Sequence, residues 1–208
     1  MKYENVTIVD YGMGNIWSVT SALEYLNCKV LVSSDPTAIL ASETLILPGV
    51  GSFRKAMLSL QSLGLEKAIY DSVTAHGSKI LGICLGMQLL GSSSTEDGET
   101  RGIGLINTKV DLFNPDEIGA NKVPHVGFNT VTPDTGSILF KQLPKNPDFY
   151  FVHSYRMLTD GLEGISATCN YGSNFLAAYE EKNIFATQFH PEKSQTNGLI
   201  LLRNFLGA

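Results

Sequence analysis

The segment that most constrains the fold is an apolar run that ends at a cysteine standing between two glycines. It reads Lys79-Ile-Leu-Gly-Ile-Cys-Leu-Gly-Met-Gln-Leu-Leu90. The run predicts a short strand that passes directly into a helix, with Cys84 at the junction and Gly82 and Gly86 on either side. Small residues there allow the backbone to turn sharply, which lifts the central side chain clear of the sheet. A thiol at the start of a helix also favours the thiolate form. Cys84 is therefore a candidate nucleophile, although a cysteine buried in a core strand gives the same pattern.

A second apolar run, Asn183-Ile-Phe-Ala-Thr-Gln188, leads into Phe189-His-Pro-Glu192. Residues two apart on an extended chain point to the same side, so His190 and Glu192 are predicted to lie side by side. The carboxylate would orient the imidazole and stabilise its charged form, which leaves the other ring nitrogen for a thiol. Cys84, His190 and Glu192 form the predicted catalytic triad. An exposed turn with a solvated histidine and glutamate is the alternative.

The overall composition bounds the class of protein. A chain of 208 residues with 43% hydrophobic content predicts one domain, residues 1–208. The net charge of −5 gives no basic surface for nucleic acid, and no apolar run is long enough for a membrane. The cysteines, Cys28, Cys84 and Cys169, are too few for a disulfide framework, and the N-terminus lacks a signal-peptide pattern. We expect a reduced, cytoplasmic protein with no metal and no cofactor.

The order of the apolar runs predicts an α/β fold. In the first half, predicted strands alternate with runs of helical periodicity, which indicates a mostly parallel central sheet with flanking helices. Those strands are 6–9, 30–32, 44–47 and 80–84. In the second half, strand-like runs follow one another and predict an antiparallel extension of the same sheet. They are 108–113, 149–157, 164–171, 175–179 and 184–189. A last helix is predicted after Ser194, which is a candidate cap, and 92–100 is predicted to be a loop.

Two glycine-rich turns follow predicted strands. Gly12-Met-Gly14 lacks the third glycine of a dinucleotide-binding fingerprint, because Trp17 occupies that position, and it predicts a tight turn or a contact surface. Pro48-Gly-Val-Gly51 lies at the carboxyl end of its strand, where open α/β sheets bind ligands. The backbone of Gly49, Val50 and Gly51 could aim an N–H at a developing oxyanion, and the N–H of Leu85 would be a second donor.

These motifs together resemble the class I glutamine amidotransferases, whose triad is Cys-His-Glu. Further stretches are similar to the family of glutaminase subunits of imidazole glycerol phosphate synthases. They are Tyr11-Gly-Met-Gly-Asn15, Pro124-His-Val-Gly-Phe-Asn129, Tyr150-Phe-Val-His-Ser-Tyr155 and Gln188-Phe-His-Pro-Glu-Lys-Ser194. The resemblance implies that Gln88 and Glu96 hold the α-amino and α-carboxylate ends of glutamine. It also implies that the backbone around His153, Ser154 and Tyr155 helps to hold the glutamine.

The resemblance also implies a function. The chain would hydrolyse glutamine to glutamate and ammonia and pass the ammonia to a synthase or cyclase subunit in a heterodimer, in histidine biosynthesis. Asn15, Phe128 and Lys193 lie in motifs that resemble the docking face. The family usually has Met and Trp where this chain has Val126 and Phe128.

Three other functions remain open at the level of sequence. A similar glutaminase subunit could feed a sugar amidotransferase in surface-polysaccharide biosynthesis. A cysteine hydrolase could act on peptides or γ-glutamyl bonds without a partner. A silent scaffold could regulate a synthase, although the intact set of Cys84, His190 and Glu192 argues against it.

Overall fold

The computed structural model describes residues 5–208; residues 1–4, the start of the predicted domain, lie outside the described residues. The helices, in chain order, are α1 (Ile16–Tyr25), α2 (Pro36–Leu40), α3 (Phe53–Ser62), α4 (Leu65–Thr74), α5 (Leu85–Leu89), α6 (Pro115–Ile118) and α7 (Gln195–Leu206). The strands of the first half are β1 (Asn5–Val9), β2 (Lys29–Ser33), β3 (Thr44–Gly49), β4 (Lys79–Cys84), β5 (Ser93–Ser94) and β6 (Thr100–Arg101). Those of the second half are β7 (Lys109–Leu112), β8 (His125–Pro133), β9 (Asp148–His153), β10 (Tyr155–Met157), β11 (Ile165–Tyr171), β12 (Ser173–Glu181) and β13 (Ile184–Thr187).

A nine-stranded sheet in the order β2-β1-β3-β4-β13-β12-β11-β8-β9 forms the centre of the molecule. The strands from β2 to β13 in this order pair in parallel, and those from β13 to β9 pair antiparallel. Every residue of β3 is buried, as expected for a strand covered on both faces. The α/β fold with a parallel centre and an antiparallel extension is therefore confirmed.

Helices cover both faces of the sheet and define two apolar layers. Val19 of α1 and Phe205 of α7 belong to one buried cluster, while Ile39 of α2, Met57 of α3 and Ile69 of α4 belong to the other. Local sequence explains where several helices begin. The carboxylate of Asp35 accepts a hydrogen bond from Thr37 N at the start of α2, and Pro36 suits the first turn. None of the helices within residues 5–208 has the length and apolar character that crossing a bilayer requires.

The predicted continuous strand 149–157 is wrong. The chain breaks at Ser154, because β9 pairs with β8 in the large sheet whereas β10 pairs with β7 in a second sheet. That sheet, in the order β10-β7-β5-β6, was not predicted. It takes strands from within the 92–100 segment, so this segment is not a simple loop.

The interpretation of Ser194 as a helix cap also fails. Ser194 precedes α7, but its hydroxyl makes no capping hydrogen bond to the helix. The hydroxyl donates to the carbonyl of His190 at 2.6 Å and accepts from Tyr150 N at 3.0 Å. Ser194 thus ties the segment around His190 to β9 instead of stabilising the helix end.

Candidate active site

Cys84 occupies a sharp turn between β4 and α5. Its φ of 56° and ψ of −110° are unusual for a residue with a side chain, and such strained backbone is concentrated at functional sites. Space explains the flanking glycines. A Cβ on Gly86 would collide with the carbonyl of Leu47, and one on Gly82 would lie 2.8 Å from Met87 N. The predicted sharp turn at Cys84 is present. However, α5 spans only Leu85–Leu89, so its dipole has a small effect on the thiol.

His190 and Glu192 form the predicted contact through a different backbone. His190 is extended, with φ −98° and ψ 96°, but Pro191–Lys193 form one turn of 3-10 helix, so the argument from an extended chain was wrong. The turn still directs Glu192 at the imidazole, and His190 Nδ1 lies 2.7 Å from Glu192 Oε1. Both side chains are buried. The backbone N–H of His190 donates to the carbonyl of Tyr150 at 2.9 Å, which holds the ring against β9.

The electrostatics of the pair favour a charged imidazole. Burial by itself lowers the pKa of His190, but hydrogen bonding to Cys84 and Glu192 and the negative charge of both groups outweigh it and raise that pKa. Cys84 raises this pKa although its sulfur and the ring lack the geometry of a hydrogen bond. Among residues 5–208, His190 Nε2 and Glu192 Oε2 are buried without a hydrogen-bond partner. The arrangement is suited to a thiolate–imidazolium pair.

A cavity of about 340 Å³ opens above the cysteine. Its lining is Val50, Gly51, Cys84, Leu85, Gln88, Glu96, Val152, His153, Ser154 and Tyr155. Most of the predicted site residues therefore meet at one cavity. Gly49, His190 and Glu192 do not line it, and Val152 was not predicted. The volume is in the range of small-molecule sites.

The predicted substrate residues are joined by hydrogen bonds. Gln88 Nε2 donates to the carbonyl of Tyr155 at 2.9 Å and to Gln188 Oε1 at 2.9 Å. His153 Nδ1 lies 2.8 Å from the same Tyr155 carbonyl, so this nitrogen carries the proton that is donated. The turn from His153 to Tyr155 is thus held from both sides.

Glu96 lies at the edge of the cavity and contacts the start of α3. Its Oε2 accepts a hydrogen bond from Phe53 N at 2.8 Å. Burial raises the pKa of Glu96, the hydrogen bond from Phe53 lowers it, and the charge of Asp97 raises it further, with a net upward shift. A positive charge brought to Glu96 would relieve this penalty.

The loop of Gly49, Val50 and Gly51 is held by the other glycine-rich turn. Val50 N donates to the carbonyl of Met13 at 3.3 Å, so this N–H is engaged away from a substrate. Below the loop, the Tyr11 hydroxyl donates to the carbonyl of Pro48 at 2.9 Å. Gly51 has a φ of +104°, which a residue with a side chain rarely adopts.

The predicted docking residues differ in their local contacts. Phe128 on β8 stacks edge-on against Tyr150, with ring centroids 5.6 Å apart, and Lys193 Nζ lies 5.9 Å from the centre of the same ring. Asn15 instead stands at the start of α1, where its side chain accepts from Ser18 N at 3.4 Å. The structure thus gives Asn15 a capping contact and groups Phe128 with Lys193.

Sequence reasoning assigned no role to three residues next to the site. They are Tyr11, His125 and Gln188. His125 Nδ1 lies 3.1 Å from His153 Nε2, and Gln188 Nε2 donates to Cys84 Sγ at 3.6 Å. A polar residue in an apolar run was the available signal for Gln188. No group of three or more metal-ligating side chains is placed to hold an ion in the described part of the chain.

Comparison with known proteins agrees with this geometry. The family model "Glutamine amidotransferase class-I" matches residues 7–207. The chain is 44% identical over 202 residues to imidazole glycerol phosphate synthase subunit HisH 1 of Parasynechococcus marenigrum (strain WH8102), covering 97% of this chain and 96% of that protein. It is 45% identical over 201 residues to subunit HisH of the same synthase from Chlorobium chlorochromatii (strain CaD3), covering 96% and 98%.

A solved structure shares the fold at low sequence identity. A putative GMP synthase subunit of Thermoplasma acidophilum superposes with a TM-score of 0.73 at 19% identity, covering 100% of this chain and 94% of that one. At this identity the likeness concerns the fold alone. The family match over residues 7–207, together with relatives at 44% and 45% identity over nearly the whole chain, establishes that the chain belongs to the class I glutamine amidotransferases.

Proposed function

We propose that this chain is the glutaminase subunit of an imidazole glycerol phosphate synthase, hydrolysing glutamine and delivering ammonia to its synthase subunit in histidine biosynthesis. The observation that carries the proposal is the strained Cys84 at the floor of a cavity, next to a buried His190–Glu192 pair at 2.7 Å. The names of the relatives at 44% and 45% identity support the pathway. The small number of cysteines, Cys28, Cys84 and Cys169, fits a cytoplasmic setting.

In the first chemical step, the thiolate of Cys84 attacks the side-chain amide carbon of glutamine. A carbon–sulfur bond forms and the carbonyl oxygen becomes an oxyanion. As the tetrahedral intermediate collapses, the carbon–nitrogen bond breaks and the His190 imidazolium gives its proton to the leaving nitrogen, which departs as ammonia. Glu192 keeps the ring oriented and stabilises its charge before the transfer.

In the second step, His190 acts as a base. The neutral imidazole takes a proton from water, which attacks the γ-glutamyl thioester. The carbon–sulfur bond then breaks, glutamate leaves, and the sulfur regains its anionic form beside the recharged imidazole. These two chemical steps need no metal or cofactor.

Substrate recognition is proposed to use the charges at the cavity edge. Glu96 carries a penalty for burial, so the α-ammonium group of glutamine would be its natural counter-ion. The NH₂ of Gln88 is used by Tyr155 and Gln188, so its amide oxygen would accept from the same α-ammonium group. Backbone N–H groups between His153 and Tyr155 would hold the α-carboxylate. Leu85 N and the backbone of the Gly49, Val50 and Gly51 loop would face the oxyanion.

The oxyanion loop is proposed to be a gate. Val50 N is engaged by the carbonyl of Met13, so an amide donor is missing from the site until the peptide reorients. Loss of one such donor costs about 3 kcal/mol, or roughly a hundredfold in rate. The free chain should therefore be slow, and a partner that reorients the loop should activate it.

The partner is proposed to dock on the exposed apolar face of β8 and β9. Val126 and Phe128 on β8 pair with Val152 and Tyr150 on β9, and Val126, Phe128 and Val152 are exposed. Val152 also lines the cavity, so this face adjoins the mouth of the site. A synthase bound here would cover the mouth and receive ammonia before water protonates it.

A second candidate function is supported by the same face. Phe128 stands where the family usually has Trp, which gives a smaller contact area without an indole donor. A sugar amidotransferase could use this different surface, with the glutaminase chemistry unchanged.

Glutaminase turnover of the chain alone, with the synthase subunit, and with synthase plus its acceptor tests the proposal. We expect low turnover alone and stimulation of about a hundredfold in the complex. Cys84→Ser should abolish ammonia release in every case. Equal rates in the three conditions would refute the gate, and co-purification with a sugar amidotransferase instead of a barrel cyclase would reassign the pathway.

A further inference from the structure

Gln188 is a buried polar side chain in contact with the sulfur of the proposed nucleophile. It is 0% exposed and lies just beyond the end of β13, two residues before His190. Its Nε2 is 3.6 Å from Cys84 Sγ. A buried amide must be hydrogen-bonded to be tolerated, and here one of its partners is the reacting atom.

The orientation of this amide follows from a backbone carbonyl. The carbonyl of Tyr155 can only accept, so the group of Gln88 that faces it at 2.9 Å is the NH₂. The same NH₂ contacts the Gln188 amide at 2.9 Å, so the Gln188 atom on that side is the oxygen. The NH₂ of Gln188 is therefore the group turned towards Cys84.

We propose that Gln188 is a positioning residue, which donates a hydrogen bond to the Cys84 sulfur, stabilises the thiolate and is itself aligned by Gln88. This inference rests on the proposed function for its catalytic meaning. A hydrogen bond to an ionised acceptor is stronger than one to a neutral acceptor, so the donor favours the thiolate over the thiol. It also limits rotation of the sulfur away from His190.

The chain of hydrogen bonds connects the sulfur to the cavity wall. Gln88 lines the cavity, whereas Gln188 does not. A ligand that shifts Gln88 would change the alignment of Gln188 and thus the sulfur. Gln188 is in this way a link between occupancy of the cavity and the state of the nucleophile.

Alkylation of Cys84 by iodoacetamide across a range of pH tests the inference without glutamine. Mass spectrometry of the Cys84 peptide separates its reaction from that of Cys28 and Cys169. Gln188→Met has a similar length and no donor. We expect the pH midpoint of Cys84 alkylation to rise by about one unit, so the rate below the midpoint falls about tenfold. Gln188→Glu, which adds a like charge, should raise the midpoint further.

Two controls isolate the effect of the donor. Gln61→Glu adds the same charge at an exposed position of α3 and should leave the midpoint unchanged. In a Gln88→Leu background, where Gln188 is no longer aligned, Gln188→Met should lower the rate by less than about threefold. Thermal unfolding shows whether each variant is folded. If Gln188→Glu is unfolded, the alkylation of Gln188→Met alone decides the test.

The kinetic readout is a kcat that falls by a larger factor than KM rises for Gln188→Met, because the donor acts directly on the nucleophile and only through Gln88 on substrate binding. An unchanged alkylation midpoint in a folded Gln188→Met protein would overturn the inference while the glutaminase proposal stands. If Gln188→Met shifts the midpoint but the wild-type chain has no glutaminase activity, even in complex, the hydrogen-bond donor is real and the proposed function is wrong.

Discussion

Two buried atoms at the site have no hydrogen-bond partner among residues 5–208: His190 Nε2 and Glu192 Oε2. An unsatisfied buried polar atom costs about 1–3 kcal/mol, so folding alone gives no reason to keep them. The proposed reaction gives His190 Nε2 a role, because Nδ1 is paired with Glu192 and Nε2 is left to carry the transferred proton. The proposed reaction thus accounts for a side-chain atom, His190 Nε2, whose burial without a partner lowers the stability of the fold.

Glu192→Gln tests the role of the buried carboxylate. Its negative charge and hydrogen bond help to raise the pKa of His190 against the effect of burial. Without that charge the pKa of His190 falls, and Cys84 alone is left to oppose the effect of burial. We expect kcat to fall about a hundredfold or more, and the alkaline limb of the pH–rate profile to move to lower pH. A profile that keeps its alkaline limb would show that Glu192 does not set the charge of the ring.

Glu96→Gln tests substrate recognition. The change keeps the shape and an oxygen that can accept from Phe53 N, but it removes the charge that would attract an α-ammonium group. A charge-assisted hydrogen bond is worth about 1.5–3 kcal/mol, so KM for glutamine should rise about 10- to 100-fold with a smaller change in kcat. An unchanged KM would exclude Glu96 from the binding of the amino group.

Local sequence predicted the sharp turn at Cys84 and the contact between His190 and Glu192, but not the contacts of Gln188 and His125. The pattern around Cys84 and the His190–Glu192 spacing could be predicted because each depends on adjacent residues. Gln188 contacts Cys84 across a separation of 104 positions, and His125 contacts His153 across 28. Such contacts depend on strand order and register, which a single sequence does not supply.

At the scale of elements, strand pairing joins two histidines behind the cavity. His125 on β8 and His153 on β9 are directly opposite each other. His153 Nδ1 donates to Tyr155, so its Nε2 accepts the proton of His125 Nδ1, and both rings are neutral in this arrangement. Burial lowers the pKa of His125 to about 4 and that of His153 to about 3. In this neutral state the pair orients the turn from His153 to Tyr155.

His125→Phe should change how stability depends on pH. A histidine with a lowered folded-state pKa leaves the unfolded chain with more bound protons below pH 6.5, so stability is lost as pH falls from 6.5 towards 4. Urea unfolding of the wild type should therefore lose about 1.4 kcal/mol more per pH unit than the variant in this range. His76→Asn, which removes an exposed histidine, serves as the control for the loss of one histidine. Parallel curves for wild type and His125→Phe would contradict the neutral pair.

Elements were easiest to predict where burial was uniform. The runs at 44–47 and 80–84 became central strands because apolar residues on both faces need cover from two helical layers. The break at Ser154 could not be foreseen, because residues on both sides of it remain strand-like. Phe113 N donates to the carbonyl of Ser154 at 3.2 Å, so the turn is held by a residue that follows β7 and is distant in sequence.

At the scale of the whole molecule, the nine-stranded sheet has two different ends. β2 forms one end and exposes Leu31, while β9 forms the other and, with β8, exposes Val126 and Phe128. Only the second end adjoins the cavity, through Val152. The position of the exposed residues relative to the cavity, and not their hydrophobicity, favours the β8–β9 face as the docking surface.

Phe128→Asp and Leu31→Asp distinguish the two ends. Phe128 is 48% exposed and Leu31 is 51% exposed, so each change places a charge on a similar surface. A charge inside a docking surface must be desolvated without a partner, which should weaken synthase binding at least tenfold and reduce the stimulation of glutaminase turnover in proportion. Leu31→Asp should bind and respond as the wild type does. Isothermal titration with the synthase, together with ammonia release by each complex, measures both effects. Equal loss in the two variants would point to altered folding, and normal binding by Phe128→Asp would move the docking surface away from β8.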